Sequence, residues 1–235
     1  MPRTLVLLRH GQSTANADDT FAGWLDVPLT ERGRWEARNA GKLLAGHGLL
    51  PDVVHTSLLH RAIDTAELVL SALGRENCPV RRSRRLNERH YGLLQGRSRK
   101  AVRAEFGDEA YRLWRRSYDV APPPGEPATP GGPRTEALSD VRARVAPYWA
   151  GRLAPDVRAG RVTLVVAHGN SLRALCMLLD GLGPDEVSRL NVPTGVPLRY
   201  DFDDELEPVP RGGTYLDPDL AAAGVAEVLA QGGGR

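Results

Sequence analysis

Two short apolar runs, each stopped by His-Gly, constrain this chain most. Leu5-Val6-Leu7-Leu8 runs into Arg9-His10-Gly11, and Val162-Thr163-Leu164-Val165-Val166-Ala167 runs into His168-Gly169-Asn170. Runs that are apolar throughout rather than alternating read as strands buried on both faces, as in parallel sheets covered by helices. Ligands of such sheets bind at the carboxyl ends of the strands. The pattern therefore brings two imidazoles to one edge of one sheet. Neutral imidazole is a nucleophile near pH 7 and can carry a phosphoryl group. A following glycine lets the backbone approach a ligand closely. Arg9 adds planar, permanently charged donors suited to phosphate oxygens.

Composition narrows the class. The 235 residues are 41% hydrophobic, which suits one α/β domain with a sizeable core. Cys78 and Cys176 form no disulfide framework, and no Cys/His cluster has metal-ligand spacing, so a reducing cytosol and no metal are expected. The apolar run near the N-terminus is shorter than the roughly 7–15 residues of a secretory segment, and no run approaches the ~18 of a membrane span. A soluble, cytoplasmic protein is the expectation. Formal net charge is only +2, yet residues 81–116 hold 12 Lys/Arg against 4 Asp/Glu. A local basic segment on a near-neutral chain points to an anionic small molecule rather than nucleic acid, for which no recognition motif is present.

Taken in order, a first strand covers 4–10 and a polar loop 12–24. A helix capped by Thr30 runs to about Ala45; Gly33 stands where Glu or Gln would complete a capping box. A strand over 52–56 leads to a helix capped by Ser57, with Arg61 in its first turn, where free N–H groups favour an anion. A strand over 79–83 precedes Arg84-Arg85-Leu86-Asn87-Glu88-Arg89-His90-Tyr91-Gly92. There Glu88, set among cations, is a candidate general acid/base. Residues 97–105 and 108–116 read as helices split by Gly107. Residues 120–133 hold 6 of the 18 prolines and form a loop that could act as a lid. Helices over 136–153, 171–179 and 184–190, an alternating strand over 196–202 and a weak helix over 218–231 complete the pattern.

Several runs together resemble one family, the 2,3-bisphosphoglycerate-dependent phosphoglycerate mutases of the histidine phosphatase superfamily. They are Leu7-Leu8-Arg9-His10-Gly11, Ala22-Gly23-Trp24, Thr56-Ser57 with Arg61-Ala62, Leu86-Asn87-Glu88-Arg89-His90-Tyr91-Gly92, Trp114-Arg115-Arg116 and Ala167-His168-Gly169-Asn170-Ser171-Leu172-Arg173-Ala174. Asn191-Val192-Pro193-Thr194-Gly195-Val196-Pro197-Leu198 follows in the same order. The resemblance implies a single-domain three-layer α/β/α sandwich, with a mostly parallel central sheet and one antiparallel edge strand. A catalytic domain over 1–211 and a mobile Gly/Ala-rich tail over 212–235 are expected.

By the resemblance, His10 accepts the phosphoryl group, Glu88 is the general acid/base, and Arg9, Arg61 and His168 clamp the phosphoryl group. Ser13, Asn16, Ala22, Gly23, Arg89, Tyr91, Arg99, Arg115, Arg116, Gly169 and Asn170 line the substrate site. The implied reaction interconverts 2-phosphoglycerate and 3-phosphoglycerate in glycolysis and gluconeogenesis, with 2,3-bisphosphoglycerate as primer, no metal, and a homodimer or homotetramer. Ala22 stands where these mutases usually carry Thr, Arg99 where Lys is usual, and the 120–133 loop is short. These departures keep open a phosphatase, or a paralogue acting on another small phosphorylated or phosphonate acid. A non-catalytic phosphometabolite-binding relative is the remote alternative.

Overall fold

The computed structural model describes residues 3–127 and 130–231. Six strands form one sheet: β1 (Arg3–Arg9), β2 (Val53–Thr56), β3 (Val80–Arg82), β4 (Thr163–Ala167), β5 (Leu198–Phe202) and β6 (Thr214–Tyr215). Their order is β3-β2-β4-β1-β5-β6. The first four are parallel, and β5 and β6 add an antiparallel pair at one edge. The expected mixed sheet is present, with the antiparallel edge one strand wider than expected because β6 covers β5.

Both apolar runs are buried on both faces for the reason their composition gave. Along β1, Leu5 and Leu7 join one core with Val165 and Ala167. Val6 and Leu8 join the opposite core with Leu164 and Val166. Helices α2 (Glu31–Gly46) and α3 (His60–Ala72) cover the second face. Helices α5 (Leu138–Tyr148) and α7 (Gly169–Asp180) cover the first. These are the three layers.

Several boundaries differ from the sequence reading. The polar loop contains a one-turn helix, α1 (Thr14–Ala17), because Ser13 and Asn16 close a capping box on each other. Thr30 caps α2 through Gly33 N–H as expected. Gly33 takes the place of a capping acid because the chain after His10 lies directly on it: a Cβ there would meet the Gln12 carbonyl oxygen at 2.1 Å. Leu59, not Ser57, stands at the N-cap position of α3 and gives no side-chain bond; Asp26 accepts the His60 N–H at 2.8 Å instead. Helix α4 (Arg99–Arg116) is broken at Gly107, whose φ of 82° lies in the region that favours glycine. The expected helix over 136–153 passes through Pro147 and a five-residue π turn, Trp149–Leu153, into α6 (Ala154–Arg158). Helix α8 (Pro184–Arg189) leads towards β5.

Beyond residue 211 the chain continues the fold: β6 extends the sheet, and α9 (Pro218–Ala230) starts on the Asp217 cap. The Gly232–Arg235 end lies outside the described residues. Among the described residues no helix is long and apolar enough to cross a membrane.

Candidate active site

Parallel pairing of β1 with β4 ends at Arg9 opposite Ala167, so His10 and His168 are the next residue on each strand. The His10 N–H donates to the Ala167 carbonyl at 3.0 Å. The two imidazole rings lie 4.9 Å apart, tilted by 59°. His10 is buried, and its Nδ1 lies 2.7 Å from the Gly11 carbonyl. A carbonyl only accepts, so Nδ1 carries the hydrogen and Nε2 keeps its lone pair for nucleophilic attack. Burial, then Arg61 and Arg9, hold the His10 pKa well below the usual imidazole range. The ring is therefore neutral at pH 7.

His168 is buried too, and its Nε2 lies 2.8 Å from Ser57 Oγ. Ser57 Oγ also accepts from Leu59 N–H at 3.1 Å. His168 Nδ1 is buried without a protein partner, and with the Ser57 hydroxyl donating to Nε2 it carries the ring's hydrogen. Arg9 Nε is another buried N–H without a partner, while Arg9 Nη1 donates to the Val192 carbonyl. Arg61 is held by the carbonyls of Leu25 and Gly23, at 2.9 and 2.8 Å. Burial lowers its pKa to about 10 against the pull of Glu88, so it stays charged. Unpartnered buried donors around a neutral nucleophile fit an anion with several oxygens.

Glu88 faces this group from the segment after β3. Its Oε1 accepts from Arg89 N–H at 2.7 Å, Asn170 N–H at 3.2 Å and Asn170 Nδ2 at 2.9 Å. These three donors all fall on Oε1 and none on Oε2. A Cβ on Gly169 would lie 3.7 Å from both that oxygen and Arg9 Nε, which shows how closely the start of α7 sits against the pair. Asn170 is itself fixed: Arg173 Nη1 donates to its Oδ1 at 3.0 Å, and Asn170 Nδ2 also donates to Tyr91 OH at 3.0 Å. Burial is the largest influence on Tyr91 and raises its pKa, but Arg89, 4.5 Å over its ring, and Arg99 together make the net shift downward.

One cavity gathers Arg9, His10, Ser13, Asn16, Ala22, Gly23, Arg61, Glu88, Tyr91, Arg99, Arg115, Arg116, Gly169 and Asn170 along its wall. All were singled out in the sequence. His168 sits behind His10 rather than on that wall. Arg89 is fully buried and off the wall as well; its Nη2 donates to the Trp114 and Arg115 carbonyls and so holds the C-terminal end of α4. Arg99 pairs with Asp19, and Arg116 donates to Asn191 Oδ1 at 2.8 Å.

Sequence reasoning missed Ser57 and Arg173. Arg173 lies on the cavity wall, and seven further wall residues were missed: Thr20, Phe21, Leu190, Asn191, Val192, Val228 and Gln231. The spacing of Asn170 and Arg173, three apart on a helix, was a signal for the second. Nothing local marks Val228 or Gln231, which arrive from α9. No group of three or more His, Cys, Asp or Glu suited to a metal ion exists among the described residues.

The histidine phosphatase superfamily (branch 1) model matches residues 5–207. The chain belongs to this superfamily. Within it, the 2,3-bisphosphoglycerate-dependent phosphoglycerate mutase of Rhodococcus jostii is 52% identical over 243 aligned positions, covering 98% of this chain and 97% of that protein. That of Mycobacterium tuberculosis is 53% identical over 244 positions, covering 98% of each. Among solved histidine phosphatase-fold structures, a mycobacterial glucosyl-3-phosphoglycerate phosphatase matches with a TM-score of 0.70 at 32% identity, over 84% of this chain and 92% of that one. An Escherichia coli chain described as a putative alpha-ribazole-5'-P phosphatase matches with 0.69 at 29%, over 86% and 91%.

Proposed function

We propose that this chain interconverts 2-phosphoglycerate and 3-phosphoglycerate through a phosphohistidine at His10, with 2,3-bisphosphoglycerate as primer, in cytoplasmic glycolysis and gluconeogenesis. Relatives named for this mutase align with almost the whole chain at 52–53% identity. The observation that carries the chemistry is the pairing of a neutral His10, its Nδ1 held by Gly11, with Glu88, whose three hydrogen-bond donors all fall on Oε1.

The donor set fits a polyanion. Arg9 Nε and His168 Nδ1 are buried donors without protein partners, and Arg99, Arg115 and Arg116 line the same cavity. Arg9, Arg61 and His168 would hold the transferring phosphoryl group; Ser13, Asn16, Gly23, Tyr91, Arg99, Arg115, Arg116 and Asn170 would hold the rest of a phosphorylated acid. 2,3-Bisphosphoglycerate, when bound, supplies the phosphoryl group that charges His10. His10 Nε2 attacks in line, and the arginines offset the charge that spreads over the equatorial oxygens. Glu88 holds the hydroxyl proton: it gives the proton to the leaving oxygen and takes it back from the attacking one. Arg89 would hold the acid through Nε and Nη1, which are buried without a protein partner, while its Nη2 fixes the end of α4 that carries Arg115 and Arg116.

A phosphatase is the second reading, favoured by the phosphatases among the solved neighbours and by Ala22, which brings no hydroxyl to the cavity. The deciding experiment follows 2-phosphoglycerate and free phosphate together from 3-phosphoglycerate, with and without catalytic 2,3-bisphosphoglycerate. Stimulated isomerisation with little phosphate supports the mutase. Phosphate without isomerisation overturns it. A homodimer or homotetramer is part of the proposal and is tested by light scattering.

A further inference from the structure

We propose that Arg173 is a positioning residue for proton transfer: it fixes the side-chain amide of Asn170 so that this amide holds the Glu88 carboxylate in its working orientation. The inference rests on the reading of Glu88 as the proton carrier. It starts from an amide that could sit either way round. An Asn side chain offers a carbonyl on one side and an NH2 on the other, and only the NH2 suits a carboxylate. Arg173 decides between them. Its Nη1 donates to Asn170 Oδ1 at 3.0 Å. Nδ2 is thereby left for Glu88 Oε1 at 2.9 Å and Tyr91 OH at 3.0 Å.

Arg173 is in turn held rigidly. Its Nε and Nη2 donate to the Val187 carbonyl at 3.2 and 2.6 Å, so all three guanidinium nitrogens are committed to protein groups. The side chain is buried, only 6% exposed, and Val187 beneath it is fully buried at the α8 end of the core. A planar fork spanning two acceptors fixes geometry that a single-point cation does not. Such a support shell is what keeps a catalytic group in place.

Other charged groups also face Glu88: Arg9 from β1, Arg61 from α3, Arg89 and Tyr91 from its own segment, and Arg144 of α5, which donates to the Glu88 carbonyl at 2.9 Å. These stay in place when Arg173 is changed. The effect of Arg173 on the carboxylate is therefore separable from theirs.

The test is Arg173→Met. With its donor gone, Asn170 Oδ1 loses the partner that fixes the amide, and Nδ2 is no longer held on Glu88 Oε1 and Tyr91 OH together. At neutral pH kcat should fall about ten-fold while KM stays within about two-fold, as for loss of an interaction made in the transition state. Arg173→Lys keeps the charge, but one ammonium cannot span Asn170 and Val187 as the fork does, so it should recover no more than about half of the lost kcat. A kcat within about two-fold of wild type in Arg173→Met overturns the proposal. A raised KM with unchanged kcat also overturns it and assigns Arg173 to direct substrate contact. Full recovery by Arg173→Lys overturns it in favour of charge alone. If Arg173→Met does not fold, Arg173→Lys carries the test: wild-type kcat refutes the idea. Product analysis of the wild type keeps the two readings apart. If it releases only phosphate, the mutase reading falls, while kcat for phosphate release still reads Arg173.

Discussion

Gly11→Ala should disable this enzyme without touching a single reacting atom. A Cβ at Gly11 would lie 2.2 Å from the Gly33 carbonyl oxygen, 2.8 Å from its carbon and 2.9 Å from its Cα. All three are main-chain atoms in the first turn of α2, so no rotamer change relieves the clash. The loop must yield by roughly 1 Å, and a misplacement of that size around a reacting group costs about 100-fold in rate. The contacts at stake are specific. Gly11 N–H donates to Thr65 Oγ1 at 3.1 Å, the Gly11 carbonyl accepts from His10 Nδ1 at 2.7 Å, and Gln12 N–H donates to Glu36 at 2.7 Å. Overpacking of this kind costs about 1–3 kcal/mol, which for a domain of this size is a fall of about 2–12 °C in Tm. Rapid-quench labelling of His10 by radioactive 2,3-bisphosphoglycerate and thermal unfolding read the two effects. Gly46→Ala is the control, since nothing lies within 4 Å of a Cβ there. Labelling within about three-fold of wild type, with Tm unchanged within about 1 °C, would refute the argument that this interlock sets the nucleophile.

Three further outcomes follow from the same geometry. His10→Ala should abolish labelling by 2,3-bisphosphoglycerate; full labelling would move the acceptor elsewhere. Burial, with Arg61 and Arg9, keeps His10 and His168 neutral in the folded state. In the unfolded chain both take up protons as pH falls below about 6.5, so stability present above that pH is lost, by up to about 1.4 kcal/mol per pH unit for each ring. Urea unfolding at pH 7.5 and 5.5 checks this, and equal midpoints would contradict neutral burial. Ala22→Thr, which adds a hydroxyl to the cavity wall, should raise kcat/KM for phosphoglycerate about 2–10-fold, the span of one neutral hydrogen bond. A loss of activity instead would mean the methyl crowds the site.

The central strands and the two histidines were legible because continuous apolar runs ending in His-Gly leave few alternatives. Register then followed from physics: the parallel pairing that buries Leu5 with Val165 also carries His10 to His168. What the chain did not announce was action through a second side chain. Ser57 looks like a helix cap, yet it orients His168. Arg89, expected as a substrate ligand, also binds through Nη2 the carbonyls that close α4, while its Nε and Nη1 are buried without a protein partner. Gly33 looks like a missing capping acid, yet it is the only residue type that lets Gln12 lie on the helix. In each case a tertiary contact adds a role that the local pattern does not carry.

The segment that reaches the cavity wall differs from the lid expected over 120–133. Among the described residues, none of the 120–133 loop lines the cavity. The loop packs on the chain after Tyr91 instead: Leu93 N–H donates to the Pro123 carbonyl at 3.0 Å, and a Cβ on Gly92 would strike that same carbonyl. Val228 and Gln231 of the α9 end form part of the wall. A Glu227 carboxylate doubly bonded to Arg32, at 2.6 and 2.9 Å, ties α9 to α2. Arg32 also bonds Glu36, whose other oxygen takes Gln12 N–H, so the same arginine links α9 to the loop behind His10. Glu227→Gln should therefore raise phosphate release relative to isomerisation. Both partners are partly exposed, so the pair is worth about 0.2–1 kcal/mol, and the ratio should change by at most about five-fold. Wild type and variant should converge in 1 M salt, where the Debye length falls to about 3 Å. An unchanged product ratio at low salt would show that α9 does not keep water from phospho-His10.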